Sequence, residues 1–212
     1  IHIASYGHDL PEKWDLLDLL EEVEKIQGIH RVRIGSIEPM FFKEGRMERI
    51  LKLKKLCPHF HLSLQSGSNE TLKRMNRRYT KEEFQAVVEE LRDKMEDVSI
   101  TTDIIVGFPE ETEEEFIETY GFLQTMKLTK IHTFKYSPRK GTPAYHMKDQ
   151  VSGAEKDHRS KRIMVQSDAH EEAFLDKYLG HEVEVLFEEG QKGIHYGYTR
   201  NYLKVKVQAK EG

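Results

Sequence analysis

Four polar side chains stand where apolar runs of this chain come to an end: Glu38 after RVRIGSI, Gln65 after HFHLSL, Asp103 inside ITTDIIVGFP and Arg139 after IHTFKYSP. Glu38, followed at once by Pro39, can accept hydrogen bonds from an amine or a hydroxyl. Gln65 offers an amide to hydroxyls, and Arg77 in MNRRYT offers a guanidinium to a carboxylate. Together these suit an amino-acid-bearing nucleoside. Asp103 in an apolar stretch is costly unless paired, and a ribose diol would pair it. Gly107 lets a flat ring approach the backbone. Arg139, in a loop stiffened by Pro138, Gly141 and Pro143, can take a phosphate or a carboxylate. Each also has a plain reading: Glu38 as a cap of the next helix, Gln65 as ordinary loop chemistry, and Arg77 and Arg78 as solvated charges.

The elements that would carry them alternate. Strand-like runs are IHIASYG from Ile1, RVRIGSIEP from Arg31, HFHLSLQSGS from His59, ITTDIIVGFPEET from Ile100, IHTFKYSPRKGTP from Ile131 and EVEVLFEEG from Glu182. Helical periodicity lies between the first five: Trp14 to Ile26, Glu44 to Leu56, Ser68 to Met75, and two segments opened by the capping boxes Thr80-Lys-Glu-Glu and Thr112-Glu-Glu-Glu. Such alternation implies parallel strands with crossover helices, and chemistry at the strands' C-terminal ends. Glu110, Glu111, Glu113, Glu114 and Glu115 read as complement to a helix dipole rather than a metal site. His59, His61, His132 and His146 share no metal spacing and read as structural or solvated. A long amphipathic helix from Ala154 to Leu179 reads as a linker, after which the period turns to strand alternation at Val183, Val185, Phe187, Tyr196, Tyr198, Tyr202, Leu203, Val205 and Val207.

Composition narrows the classes. The chain has 212 residues, a third of them charged, and a net charge of −4, which makes no global case for nucleic acid. No apolar run approaches 18 residues, so a soluble, cytoplasmic protein without a membrane partner is expected. One cysteine, Cys57, excludes a disulfide framework and any thiolate cluster, and reads as a small buried residue. The opening Ile-His-Ile-Ala-Ser starts directly in strand-like sequence and reads as a cut from something longer. From Gly190 to Lys210 there are five basic residues and no acid, interleaved with Tyr196, Tyr198 and Tyr202. Charges for phosphates and rings for unstacked bases suit RNA, which makes Lys192, Arg200, Lys204 and Lys206, with Arg139, the candidate RNA contacts. A solvated face of a small barrel is the plain alternative.

Taken together, SIEP, LSLQSGS, MNRRYT, TDIIVGFPEET and YSPRKGTPA resemble, in order and spacing, the radical S-adenosylmethionine methylthiotransferases across essentially the whole chain. IHIASYGHDL and MNRRYT bring it nearest to the branch acting on threonylcarbamoyladenosine in tRNA. GYTRNYLKVKV resembles the start of a TRAM domain, a small tRNA-binding β-barrel. The resemblance implies an α/β fold: strands two to six of a partial (β/α) TIM-like barrel over residues 1–150, a linker helix over 151–180, and a truncated antiparallel TRAM-like unit over 181–212. It places Gln65, Arg77 and Asp103 where related enzymes hold S-adenosylmethionine, with Glu38 as a fourth contact, and Gly107 joins them from the residue reading. It implies two [4Fe–4S] clusters, a CxxxCxxC loop upstream of Ile1, and an electron donor, so that this chain by itself holds no metal, no catalytic residue and no activity. The parent reaction would be methylthiolation at C2 of N6-threonylcarbamoyladenosine beside the anticodon. Alternatives are a sister enzyme acting on isopentenyladenosine or on a ribosomal-protein aspartate, or a non-enzymatic RNA-binding module on a degenerate β/α scaffold.

Overall fold

The computed structural model describes residues 3–11, 14–43, 45–191 and 193–208. Its centre is a three-stranded parallel sheet of β1 (His59–His61), β2 (Ser99–Val106) and β3 (Lys130–Lys135), in that order. Every second residue of β2 faces helices: Ile100, Ile104 and Val106 are buried with Phe60, Leu62 and Leu64 against Phe84, Val88 and Leu91 of α4 (Lys81–Lys94) and Phe116 and Leu123 of α5 (Glu113–Met126). Both capping boxes form as the sequence requires, on Thr80 with Glu83 and on Thr112 with Glu115. A third closes α1 (Leu16–Lys25) on Asp15 with Asp18.

Two expected strands are weaker than their patterns suggest. RVRIGSI meets its neighbour at only two isolated parallel bridges, Val32 to Leu56 and Ile37 to Leu62. The register slips by one residue between them, so no continuous ladder can form. Ile3–Ser5 is a 3₁₀ turn rather than a strand, with Tyr6 N–H donating to the Ile3 carbonyl; Ile1 and His2 lie outside the described residues. A short segment without a paired neighbour satisfies its backbone locally. Likewise only Arg46–Ile50 of the expected Glu44–Leu56 helix forms, as α2, while the expected Ser68–Met75 helix forms as α3 (Asn69–Arg74).

The long helix α6 (Gly153–Leu175) does more than link. Its Ile163 and Ser167 are buried, Ser167 Oγ accepts from the Ile131 N–H, and Lys130 pairs with Asp168 and Glu171, so it covers β3 as an outer-layer helix. The antiparallel unit follows as β4 (Val185–Gln191), β5 (Ile194–Thr199) and β6 (Lys204–Gln208), with a bulge between Phe187 and Glu189. It is fastened to the parallel layer by Arg31, which donates to Glu184 and the Tyr198 carbonyl, and by Arg200, which donates to the Lys54 and Leu56 carbonyls.

Candidate functional site

The face of β2 opposite its core side carries Ser99, Thr101, Asp103 and Ile105 in alternation, and two cavities lie along it. The upper cavity, at the strands' C-terminal end, holds about 480 Å³ and is lined by Gln65, Asp103, Ile105, Phe134, Tyr136 and Arg139 among others. Gln65 reaches it through a distortion. From His61 opposite Thr101 to Gln65 opposite Ile104 the first strand uses one residue more than the second. The Thr102 hydroxyl fills the gap, donating to the Leu62 carbonyl at 2.5 Å and accepting from the Leu64 N–H at 3.1 Å. Gln65 itself sits at φ +74°, a left-handed conformation that costs a non-glycine residue of order 1 kcal/mol or more. It is held there by its N–H on the Asp103 carbonyl and its carbonyl on the Ile105 N–H, at 2.9 and 3.0 Å. A bulge that re-aims a side chain is common beside active sites.

The predicted residues therefore divide. Gln65, Asp103 and Arg139 share one cavity. Glu38 and Arg77 come together as a separate pair, 3.3 Å apart with each side chain 30% exposed, and Arg77 Nε is buried with no hydrogen-bond partner. Beside them Tyr79 donates to the Leu64 carbonyl, and burial holds its hydroxyl up at about 12. Gly107 adopts φ +70°, and the space a Cβ would fill is taken by the Lys156 side chain of α6. That close approach serves the protein's own helix. The Gly107 N–H donates to Glu111 at 2.6 Å, and Glu111 meets Arg159 of α6 at 2.7 Å, both side chains being buried. Glu111 thus leaves the expected dipole-complement group and becomes the anchor of α6.

Of the tail residues, Lys204 and Lys206 both bring their ammonium groups over the Tyr196 ring, at 5.3 and 6.0 Å from its centroid. Arg200 is engaged with backbone carbonyls, and Lys192 lies outside the described residues. Sequence reasoning missed His61, Phe134 and Tyr136 as site residues. Phe134 and Tyr136 were legible as ring-bearing alternate positions at the end of β3, whereas His61 gives no local signal.

S-adenosylmethionine is matched by the donor set of the upper cavity. It offers a carboxylate for a diol, an amide, a guanidinium for a carboxylate, and the rings of Phe134 and Tyr136 for a purine; the Tyr136 hydroxyl is buried without a partner. A cubane cluster is not matched. Cys57 is the only thiol of the chain, burial pushes its pKa up, and no three candidate ligands converge among the described residues. No described helix is long and apolar enough to cross a membrane.

Residues 2–123 match the family model of the radical SAM superfamily. The whole chain is 38% identical to a threonylcarbamoyladenosine tRNA methylthiotransferase of Bacillus subtilis, covering 48% of that protein. Over 90% of its length it is 41% identical to a tRNA-2-methylthio-N(6)-dimethylallyladenosine synthase of Alkaliphilus oremlandii, covering 41% of it. The chain thus spans about half the length of these curated relatives. Among solved structures, coproporphyrinogen III oxidase of Escherichia coli, a radical SAM enzyme, superposes on 76% of this chain and 38% of its own at a TM-score of 0.58 and 18% identity, a likeness of fold.

Proposed function

The chain belongs to the radical SAM superfamily, and we propose that it is the cofactor-gripping barrel portion and RNA-facing tail of a tRNA methylthiotransferase. The observation that carries this reading is the cavity at the strands' C-terminal ends, where Gln65, Asp103 and Arg139 converge beside Phe134 and Tyr136. S-adenosylmethionine bound there would supply, on one-electron reduction by a cluster, the radical for hydrogen abstraction, and a second molecule would supply the methyl group. Asp103 accepts from the ribose hydroxyls, Gln65 completes the hydroxyl contacts, Arg139 pairs with the carboxylate, and the two rings receive the purine. Glu38 and Arg77 supply further charge at the same ends of the strands. These 212 residues carry a single thiol and cannot by themselves hold the iron–sulfur clusters, which a separate electron donor would reduce.

The substrate we assign is N6-threonylcarbamoyladenosine beside the tRNA anticodon, methylthiolated at C2. The similarity of the whole of this chain to about half of the threonylcarbamoyladenosine enzyme supports it, and the 41% identity to a dimethylallyladenosine enzyme keeps the sister activity as the second reading. Nucleoside analysis of tRNA from a deletion strain tests this directly. Loss of the methylthio group from threonylcarbamoyladenosine alone is expected. Its loss from the isopentenyl nucleoside would assign the sister enzyme, and unchanged tRNA would remove the tRNA reading altogether.

What supports RNA binding by the tail is the pair Lys204 and Lys206, whose ammonium groups both approach the ring of Tyr196. In the full-length protein, replacing both lysines by Glu should weaken tRNA binding and lower the slope of log affinity against log salt by about 0.9 for each phosphate left without its lysine. Binding titrations over a salt series measure this, and an unaltered slope would leave both lysines solvated and withdraw the tail from the interface.

A further inference from the structure

Asp103 has a neighbour that the sequence presents only as one of several scattered histidines. His61 stands opposite Thr101 in the β1–β2 register, and Asp103 lies two residues further along the same face of β2. His61 Nε2 is 3.2 Å from Asp103 Oδ2, and His61 Nδ1 is 2.9 Å from Thr101 Oγ1. The ring is therefore gripped at both nitrogens. A neutral imidazole has one donor and one acceptor. With Thr101 donating to Nδ1, Nε2–H donates to the carboxylate, and this assignment satisfies all three groups. The imidazole is 13% exposed and the carboxylate 28%, so the inner partner is the rigid one and the outer partner faces the cavity. The ring of His132 on β3 lies 5.7 Å away, centroid to centroid, tilted by 36°.

We propose that His61 is a positioning residue. It ties down one carboxylate oxygen of Asp103 so that the other is presented, in a fixed plane, to a ligand hydroxyl in the upper cavity. The torsion that turns a carboxylate plane is broad and soft, so an untied Asp103 would sample orientations that miss the diol. Fixing it removes an ordering cost that binding would otherwise meet. The inference rests on the reading that Asp103 receives the ribose of S-adenosylmethionine.

The test is calorimetric binding of S-adenosylhomocysteine to the full-length protein, which needs no turnover. His61→Leu, which removes both bonds, should weaken binding roughly tenfold. His61→Gln, whose amide can donate to Asp103 and accept from Thr101, should stay within about threefold of the parent. Thr101→Val, which frees the ring without touching Asp103, should fall between them and serves if His61→Leu does not fold. In an Asp103→Asn background His61→Leu should cost nothing further, because its action runs through the carboxylate. Additive losses, or a Gln variant as weak as the Leu variant, would overturn the proposal and leave His61 as packing. An Asp103→Asn protein that binds as the parent does would overturn the Asp103 reading itself. A weakened Asp103→Asn beside unaltered His61 variants would remove the positioning role of His61 alone.

Discussion

Two arginine–glutamate pairs of this chain show opposite uses of the same chemistry. At the β2–α5 turn, Arg159 reaches from α6 to Glu111 with the two side chains 5% and 2% exposed. It also donates to Glu113, to Glu155 and to the Glu111 carbonyl, while Glu111 receives the Gly107 N–H. Burial pushes the Glu111 carboxyl upward, opposed by these hydrogen bonds and by the Arg159 charge. Glu38 and Arg77, at the other strand ends, meet at 3.3 Å with Arg77 Nε left unmatched. A buried pair with its donors matched fixes architecture. A partly exposed pair with a spare donor is freer to exchange partners, which suits the ligand-binding role proposed for these two residues.

Arg159→Leu breaks the comparison most severely. It leaves Glu111 as an uncompensated buried carboxylate and should cost about 3–5 kcal/mol in denaturant unfolding. Glu111→Gln on top of it should recover part of the loss, and a loss under about 1 kcal/mol would mean that α6 is not held by this pair. The next effect belongs to the opposite end of the sheet. His59 is buried, its Nδ1 has no partner, and burial, with the Arg33 charge second, lowers its pKa to about 4. The unfolded chain takes up a proton near pH 6.5 and the folded chain does not, so stability is complete above that pH and falls as pH drops towards about 4. The loss should reach on the order of 3 kcal/mol, and His59→Phe should flatten it. Unfolding curves from pH 7 to 4 that run parallel in parent and variant would reject this. The smallest effect sharpens the contrast from its other side. Arg77→Met should change stability by under about 1 kcal/mol, and a loss as large as that of Arg159→Leu would place the two pairs in one class.

The fold was largely legible because its signals are local. Capping boxes at Thr80 and Thr112, the apolar alternation of β2 and the period change after α6 are each carried by residues a few positions apart. What failed locally failed for want of a neighbour. Ile3–Ser5 has strand-like residues but folds as a turn, and RVRIGSI is extended but slips out of register between its two bridges. The site divides the same way. Gln65 and Arg139 could be placed at strand ends and Asp103 within a strand from sequence, and all three share the cavity. Gly107 carried the right conformational signal, yet the group that approaches it is Lys156, 49 positions further along the chain.

By itself the sequence determined which residues sit at the ends of strands, where the helices start, and that a single thiol cannot assemble a cluster. Only the tertiary structure decided which charges meet: Glu38 with Arg77, Glu111 with Arg159, His61 with Asp103. The physical reason is that a hydrogen bond is formed within about 3 Å, and a slip of one residue in a parallel register turns a side chain to the other face. Periodicity says which face a residue prefers. The register between distant strands, set by the packing of the whole layer and by the Thr102 hydroxyl inside it, says which residue it finds there.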